Sequence, residues 1–306
     1  VARFAGDFAA YAEDARYAAP VRYDNLPVSE ALDSIAVQVA RFRDSSGRAE
    51  VVLFAGVPVS RMLEGIDLDR SVLETGLFVS DRLERPVLER RGEQRVSLSE
   101  ERQFEEHTFE ARLAPGSYRY RVEAREPSSR RAARGAASLD VASRALGLDL
   151  SDVVLADRIA PRVEPPSGRR DFFIDPNPAM SFAPGAPVHL YWEVYGLRAD
   201  TAGEARYRVT MVVRLESIER RGVVARLFGN TIDAAGLSAV GDDRVTLRYQ
   251  RVLPIRGLHR ASEYLAVDLG GSPEGLYTIE ITVQDENSGQ AVSRTRPFTV
   301  SRGARR

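Results

Sequence analysis

The chain has 306 residues, with 43 basic against 44 acidic side chains and a formal net charge of −1, so it carries no global field for nucleic acid or an anionic membrane. It has no cysteine, which excludes disulfides, thiolate zinc and thiol catalysis, and no apolar run of about 18 residues that would cross a membrane as a helix. A hydrophobic content of 43% and a charged content of 28% are those of a globular protein, and the length suits two domains.

Residues 1–19 are alanine-rich. Phe8, Tyr11, Ala12 and Ala15 recur at helical spacing behind Asp7, and Pro20 ends the run, so a short helical or loose N-terminal segment is expected. The chain opens on Val without a signal-peptide pattern, which reads as a mature form or a piece of a longer protein. Residues 20–142 read as a first β-sandwich. Val28 to Asp33 suits one helical turn, and Ile35–Phe42 and Glu50–Val57 flank the turn-former Asp44-Ser-Ser-Gly47 as a hairpin. Further strands are expected at 75–81, 84–90, 94–98 and 106–113. Residues 143–170 read as a linker that packs down through Leu146, Leu148 and Leu150 and ends in a Pro- and Gly-rich tail. Residues 171–302 read as a second β-sandwich, in which Leu190, the sole Trp192 and Val194 share one strand face and Tyr191, Glu193 and Tyr195 the other.

The plan rests on a repeat. Ala114-Pro-Gly-Ser-Tyr-Arg-Tyr-Arg-Val, running on to Ser138-Leu-Asp-Val141, matches Pro273-Glu-Gly-Leu-Tyr-Thr-Ile-Glu-Ile, running on to Pro297-Phe-Thr-Val300. Gly116 matches Gly275, Tyr118 matches Tyr277 and Val141 matches Val300 without a gap, an offset of 159 (275 − 116). In the later copy Tyr277, Ile279, Ile281 and Val283 alternate with Thr278, Glu280, Thr282 and Gln284, as in a half-buried strand. In the earlier one Tyr118, Tyr120, Val122 and Ala124 read as inward, and Arg119, Arg121, Glu123 and Arg125 as outward. A Gly-x-Tyr entry to a penultimate strand suits an immunoglobulin-like sandwich, in which such a tyrosine bonds back to the backbone. The expectation is therefore all-β, two tandem immunoglobulin-like β-sandwich domains.

A second echo, Leu88-Glu-Arg-Arg-Gly92 against Ile218-Glu-Arg-Arg-Gly222, reads as a pair of hairpin tips. It leaves residues 229–256 as an insertion in the second sandwich, with Val245, Leu247 and Tyr249 in strand phase, and insertions of this kind carry contacts.

Chemistry is sparse. His107, His189 and His259 have no second His at ligand spacing, and no HExxH, G-x-S-x-G or phosphate-binding glycine loop occurs. Asp67 with Asp69, and Asp242 with Asp243, are too few oxygens for calcium by themselves. The arginines from Arg119 to Arg134 are interrupted by Glu123 and Glu126, as on a charged outer face. No catalytic residue, metal site or cofactor is expected. The contact candidates are the aromatics Tyr191, Tyr195 and Tyr249, to a protein partner or, alternatively, to a carbohydrate or other ligand if they are exposed.

Leu150-Ser-Asp-Val-Val-Leu-Ala156, Asp175-Pro-Asn-Pro178, Leu190-Tyr-Trp-Glu-Val-Tyr-Gly-Leu197 and Pro273-Glu-Gly-Leu-Tyr277, in this order, resemble the C-terminal region of bacterial GWxTD domain-containing proteins. The likeness covers mostly residues 145–301, and the naming Gly-Trp-x-Thr-Asp pattern is absent. The resemblance implies an exported protein, in periplasm or at the cell surface, and brings no catalytic residues. The reading is a non-catalytic structural or protein-interaction module of a larger exported protein, whose partner is another protein or an upstream domain of the same one.

Overall fold

Alternating apolar side chains hold most of this chain in strands. The computed structural model describes residues 33–44, 48–64, 72–96, 104–127, 131–143, 147–164, 166–218, 238–239, 244–254 and 260–302. Among the described residues, apart from one four-residue helix and a single 3-10 turn, the regular elements are strands in several, mostly antiparallel, sheets, so the fold is all-β and sandwich-like. The N-terminal segment 1–19, the turn at Val28, His259 and the paired aspartates Asp67/Asp69 and Asp242/Asp243 lie outside the described residues. Contacts divide the chain into two compact units. One is the chain up to Val37 with Leu53–Ala142, and the other is Gln38–Val52 with Ser143–Arg305.

The first unit holds β1 (Asp33–Ser34), most of β3 (Ala49–Val57), α1 (Val59–Met62), β4 (Val72–Asp81), β5 (Pro86–Arg95), β6 (Glu105–Leu113), β7 (Gly116–Glu126) and β8 (Arg131–Val141). One sheet runs β1-β8-β7-β4-β5, and β3 and β6 belong to a second that begins with β2 (Ala36–Arg43). Leu73, Leu77 and Val79 of β4 and Val122 and Ala124 of β7 are fully buried, as period-two alternation requires. β4 and β5 are joined at Arg82–Arg85, where the Asp81 carboxylate accepts the Leu83 and Arg85 N–H groups at 2.9 and 3.0 Å. The bond from Arg85 holds the Asp81 carboxyl below its ordinary range. Leu88–Gly92 is therefore no hairpin tip. It lies inside one ten-residue strand that replaces the two expected at 84–90 and 94–98. Asp81 supplies the turn chemistry, and Gly92 is a strand glycine paired with Thr75.

The second unit holds β9 (Asp149–Leu150), β10 (Val154–Pro161), β11 (Phe172–Pro176), β12 (Ser181–Phe182), β13 (Val188–Tyr195), β14 (Glu204–Ile218), β15 (Ser238–Ala239), β16 (Arg244–Pro254), β17 (Arg260–Val267), β18 (Gly275–Asp285) and β19 (Ala291–Val300). Its sheets run β11-β10-β13-β17, with β9 also on β13, and β12-β19-β18-β14-β16-β15. Their inner faces meet in a core that includes Leu155, Leu190, Trp192, Tyr207, Val209, Tyr277, Ile279 and Ile281. The segment 143–170 differs from a linker: β9 and β10 lie in it, and Leu150, Val154 and Leu155 are buried. Residues 38–52 also belong here and not to the first unit. The Gln38 amide spans the reason, donating to Leu155 O at 2.8 Å and Asn177 O at 2.9 Å and accepting from Leu155 N at 2.7 Å. Arg41 Nε bonds Asp152 at 2.6 Å beside it. Where the chain leaves β13, Gly196 has φ +67 and a Cβ there would stand 2.2 Å from Gly147 O, so only glycine fits.

The repeated stretches take the same pairing. Gly116 faces Val141 across β7–β8, and Gly275 faces Val300 across β18–β19. The Tyr118 hydroxyl donates to Ala114 O at 2.8 Å, and the Tyr277 hydroxyl to Pro273 O at 2.7 Å, each four residues back. In both sheets a two-residue parallel strand flanks the hairpin on one side, β1 or β12, and β4 or β14 follows on the other. β16 then takes the place that β5 takes, so the strand within 229–256 is no addition to the sheet. β15 alone lies beyond it, at the sheet's end.

Candidate functional site

β13 was expected to bury one face. It buries both: Leu190, Tyr191, Trp192 and Val194 are 0% exposed, Glu193 1% and Tyr195 2%. The second face is covered from within the same unit. Phe42 and Phe172 pack on Tyr191 with ring centroids 6.2 and 5.1 Å away. Glu193 is the hub beneath them. Its Oε1 accepts the Tyr191 hydroxyl at 2.7 Å and the Arg169 N–H at 2.9 Å, and its Oε2 accepts the Tyr195 hydroxyl at 2.6 Å. Arg260 Nη1 stands 3.7 Å from Oε2. The Tyr195 oxygen in turn accepts the Arg43 N–H at 3.0 Å.

Tyr249, the third expected contact residue, does not join them. It is half-buried on the inner face of β16, and with Tyr207 it donates to Glu263 of β17, itself buried. Arg251 Nη2 lies 3.5 Å from the same carboxylate. Each unit of this chemistry is closed on itself: a buried carboxylate, two phenols and an arginine. Burial of Tyr191 and Tyr195 opposes the flat aromatic platform that a carbohydrate surface needs. Glu193 was legible midway between the two tyrosines, on the same strand face, whereas nothing in the period of 260–267 marked Glu263.

Burial, reinforced by the neighbouring carboxylate, pushes the phenols of Tyr191, Tyr207 and Tyr249 far up, and burial pushes Tyr277 up to about 12. The unfolded phenol ionises near about 10. Above that pH the unfolded state binds fewer protons than the native one, so this contribution is whole below pH ~10 and is lost as pH rises through the folded values. Alkaline titration should therefore show late phenolate absorbance arriving together with loss of the β-sheet circular dichroism. Full phenolate absorbance near pH ~10 with an intact sheet signal would contradict these environments.

Burial pushes His107 down, its Nε2 has no hydrogen-bond partner, and it stacks on Phe109. Burial also lowers His189. No group of three or more metal-ligating side chains occurs among the described residues.

An open cleft lies in the first unit. A cleft of about 310 Å³ lies on the outer face of β4, β5 and β7, lined among the described residues by Glu74, Thr75, Gly76, Phe78, Arg91, Gly92, Glu93 and Glu123. Register explains it. Glu93, Glu74 and Arg125 lie directly across from one another, as do Arg91, Gly76 and Glu123, and then Glu89, Phe78 and Arg121. Gly76 leaves the middle of this array without a side chain, and Phe78 folds into the space; a Cβ on Gly76 would stand 2.7 Å from its ring. The Arg91 guanidinium lies over that ring, 5.2 Å from its centroid.

Glu123, expected to face outward, is only 3% exposed. Arg121 Nη1 and Arg134 Nε each stand 3.2 Å from its Oε1, so two guanidiniums hold the buried carboxylate. Burial outweighs the two guanidiniums and raises its carboxyl pKa. Arg125 pairs with Glu74 at 3.4 Å, whereas no described cation pairs with Glu93. The arginine run seen in the sequence is thus partly spent on acids of the same face. In comparisons with known proteins, no family model matches the chain and no curated protein matches it.

Proposed function

We propose that this chain is a pair of immunoglobulin-like β-sandwich modules, two copies of one unit, that work by contact with another protein and not by catalysis. The matched hairpin register and the two tyrosine-to-carbonyl bonds support the tandem immunoglobulin-like reading. One observation carries the interaction reading: the buried acids and phenols of the second unit are consumed by internal bonds, while the first unit keeps an open cleft beside its edge strand β5. At that edge Leu83 and Val87 are 72% and 47% exposed. The resemblance to the C-terminal region of GWxTD proteins supports a place in a larger exported bacterial protein, in periplasm or at the cell surface.

The absence of cysteine makes the test clean, because Val87→Cys carries a photo-crosslinker at a unique position. The expected result, in the native host, is a discrete adduct with one other protein, not formed from a control cysteine at Ser293. Identical labelling from both positions, or none from either, would overturn the reading.

A further inference from the structure

We propose that β5 pairs antiparallel with β5 of a second copy of this chain, with Gly92 on the two-fold axis, so that two copies join through this edge. β5 is ten residues long and ends its sheet, bonded to β4 on one side. Among the described residues no strand meets its other side. Such an edge presents a row of backbone N–H and C=O groups that template a further strand. In the second unit the strand in the same place, β16, has β15 against that edge at Val245 and Thr246. Apart from the half-buried Leu88, every residue of β5 is exposed, so its faces are as open as its edge.

Charge order names the occupant. A two-fold axis normal to the sheet keeps each side chain on its own face, so a residue meets one an even number of positions away in the other copy, and the residue on the axis meets itself. With Gly92 on the axis, Glu89 faces Arg95 of the second copy and Arg91 faces Glu93, each contact occurring twice. Arg90 then faces Gln94, and Leu88 faces Val96. Opposite charges directly across a strand pair stabilise it, and like charges destabilise it. An axis at Arg91 sets Glu89 against Glu93 and Arg91 against itself, one at Glu93 sets Arg91 against Arg95, and one at Arg90 sets Arg90 against itself. Charges along an edge ordinarily discourage pairing, and this order discourages every neighbouring register while favouring one. Among the described residues nothing else calls for glycine at 92. It sits mid-strand without a bulge, and a Cβ there would come no closer than 3.8 Å, to Thr75 Oγ1. A glycine inside a strand weakens it and marks a place where another backbone approaches. The paired stretch, 88–96, leaves the exposed Leu83 and Val87 outside it, so the pairing goes beyond the contact reading without using it.

The experiment is sedimentation of the full chain over a roughly thousandfold range of concentration, because an interface of one strand is small and therefore transient. A reversible monomer–dimer equilibrium is expected, weaker in about 1 M salt than in about 0.1 M. Arg91→Glu alone and Glu93→Arg alone each turn both central contacts from opposite to like charge and should weaken the dimer about tenfold. Mixed together, the two variants restore opposite charges at both contacts and should form a heterodimer as tight as the parent pair, which no purely structural role of either residue would produce. Register is read with cysteine, of which the chain has none. Residues directly across a strand pair have Cα atoms about 4.5–5.5 Å apart, within disulfide range, so Gly92→Cys should oxidise to a covalent dimer. Gln94→Cys should not, because the two copies of position 94 lie four residues out of step, about 13 Å apart. If Arg91→Glu does not fold, because its guanidinium sits over Phe78, the cysteine variants decide. A monomer at every concentration, no heterodimer on mixing, or Gln94→Cys linking as fast as Gly92→Cys overturns the pairing. A Val87 adduct with a different protein and no dimer sinks the pairing alone, and a dimer without that adduct sinks the contact reading alone.

Discussion

Glu193→Ala should destabilise the protein by about 3–5 kcal/mol, the scale for removing one member of a buried charged network. The carboxylate is 1% exposed and accepts from two phenols and one backbone N–H. Truncation leaves those donors without their acceptor under Phe42 and Phe172, and each orphaned donor costs about 1–3 kcal/mol. The Tyr191 hydroxyl recovers part of its loss through Ser262 Oγ at 3.3 Å. Tyr195→Phe removes one donor to Glu193 and the acceptor of the Arg43 N–H but leaves Glu193 its other partners, so it should cost less, about 1–3 kcal/mol. Urea unfolding of the three proteins checks the order. Equal, small losses for both variants would mean that the hub is solvated and the face open.

The same residues mark how far the sequence could be read. Alternation in 277–283 and in 118–124 is a local property of each strand, and a hairpin forms from each stretch. The bond from each tyrosine to the carbonyl four residues back is equally local. Burial of the second face of β13 is not local. Tyr191, Glu193 and Tyr195 have the period of a polar outer face, and the cover comes from Phe42, far earlier in the chain, and from Phe172. No periodicity carries that information. The cleft was hidden for a related reason. Gly76, Arg91 and Glu123 become neighbours only once β4 is in register with both β5 and β7. Gly92 misled in the opposite direction, since a glycine after two arginines resembles a turn until Asp81 is seen to make the turn itself.

Trp192→Ala should cost about 3–5 kcal/mol, as removal of a large aromatic from a packed core does. The indole is 0% exposed, in phase with Leu190 and Val194, and sits in the core that includes Tyr207, Ile279 and Ile281. One detail separates its two contributions. The indole N–H has no hydrogen-bond partner although it is buried, so part of the side chain's packing gain is offset by a desolvated donor. Trp192→Phe discards that donor along with some volume and should therefore cost well under half as much as the alanine change. Because Trp192 is the only tryptophan, its emission reports the site directly. The native protein should emit at short wavelength and resist iodide quenching, and unfolding should bring both a red shift and quenching in one transition with the loss of sheet signal. A native indole quenched as freely as the unfolded one, or an alanine variant as stable as the parent, would place Trp192 outside the core and undo the packing of the second unit as described.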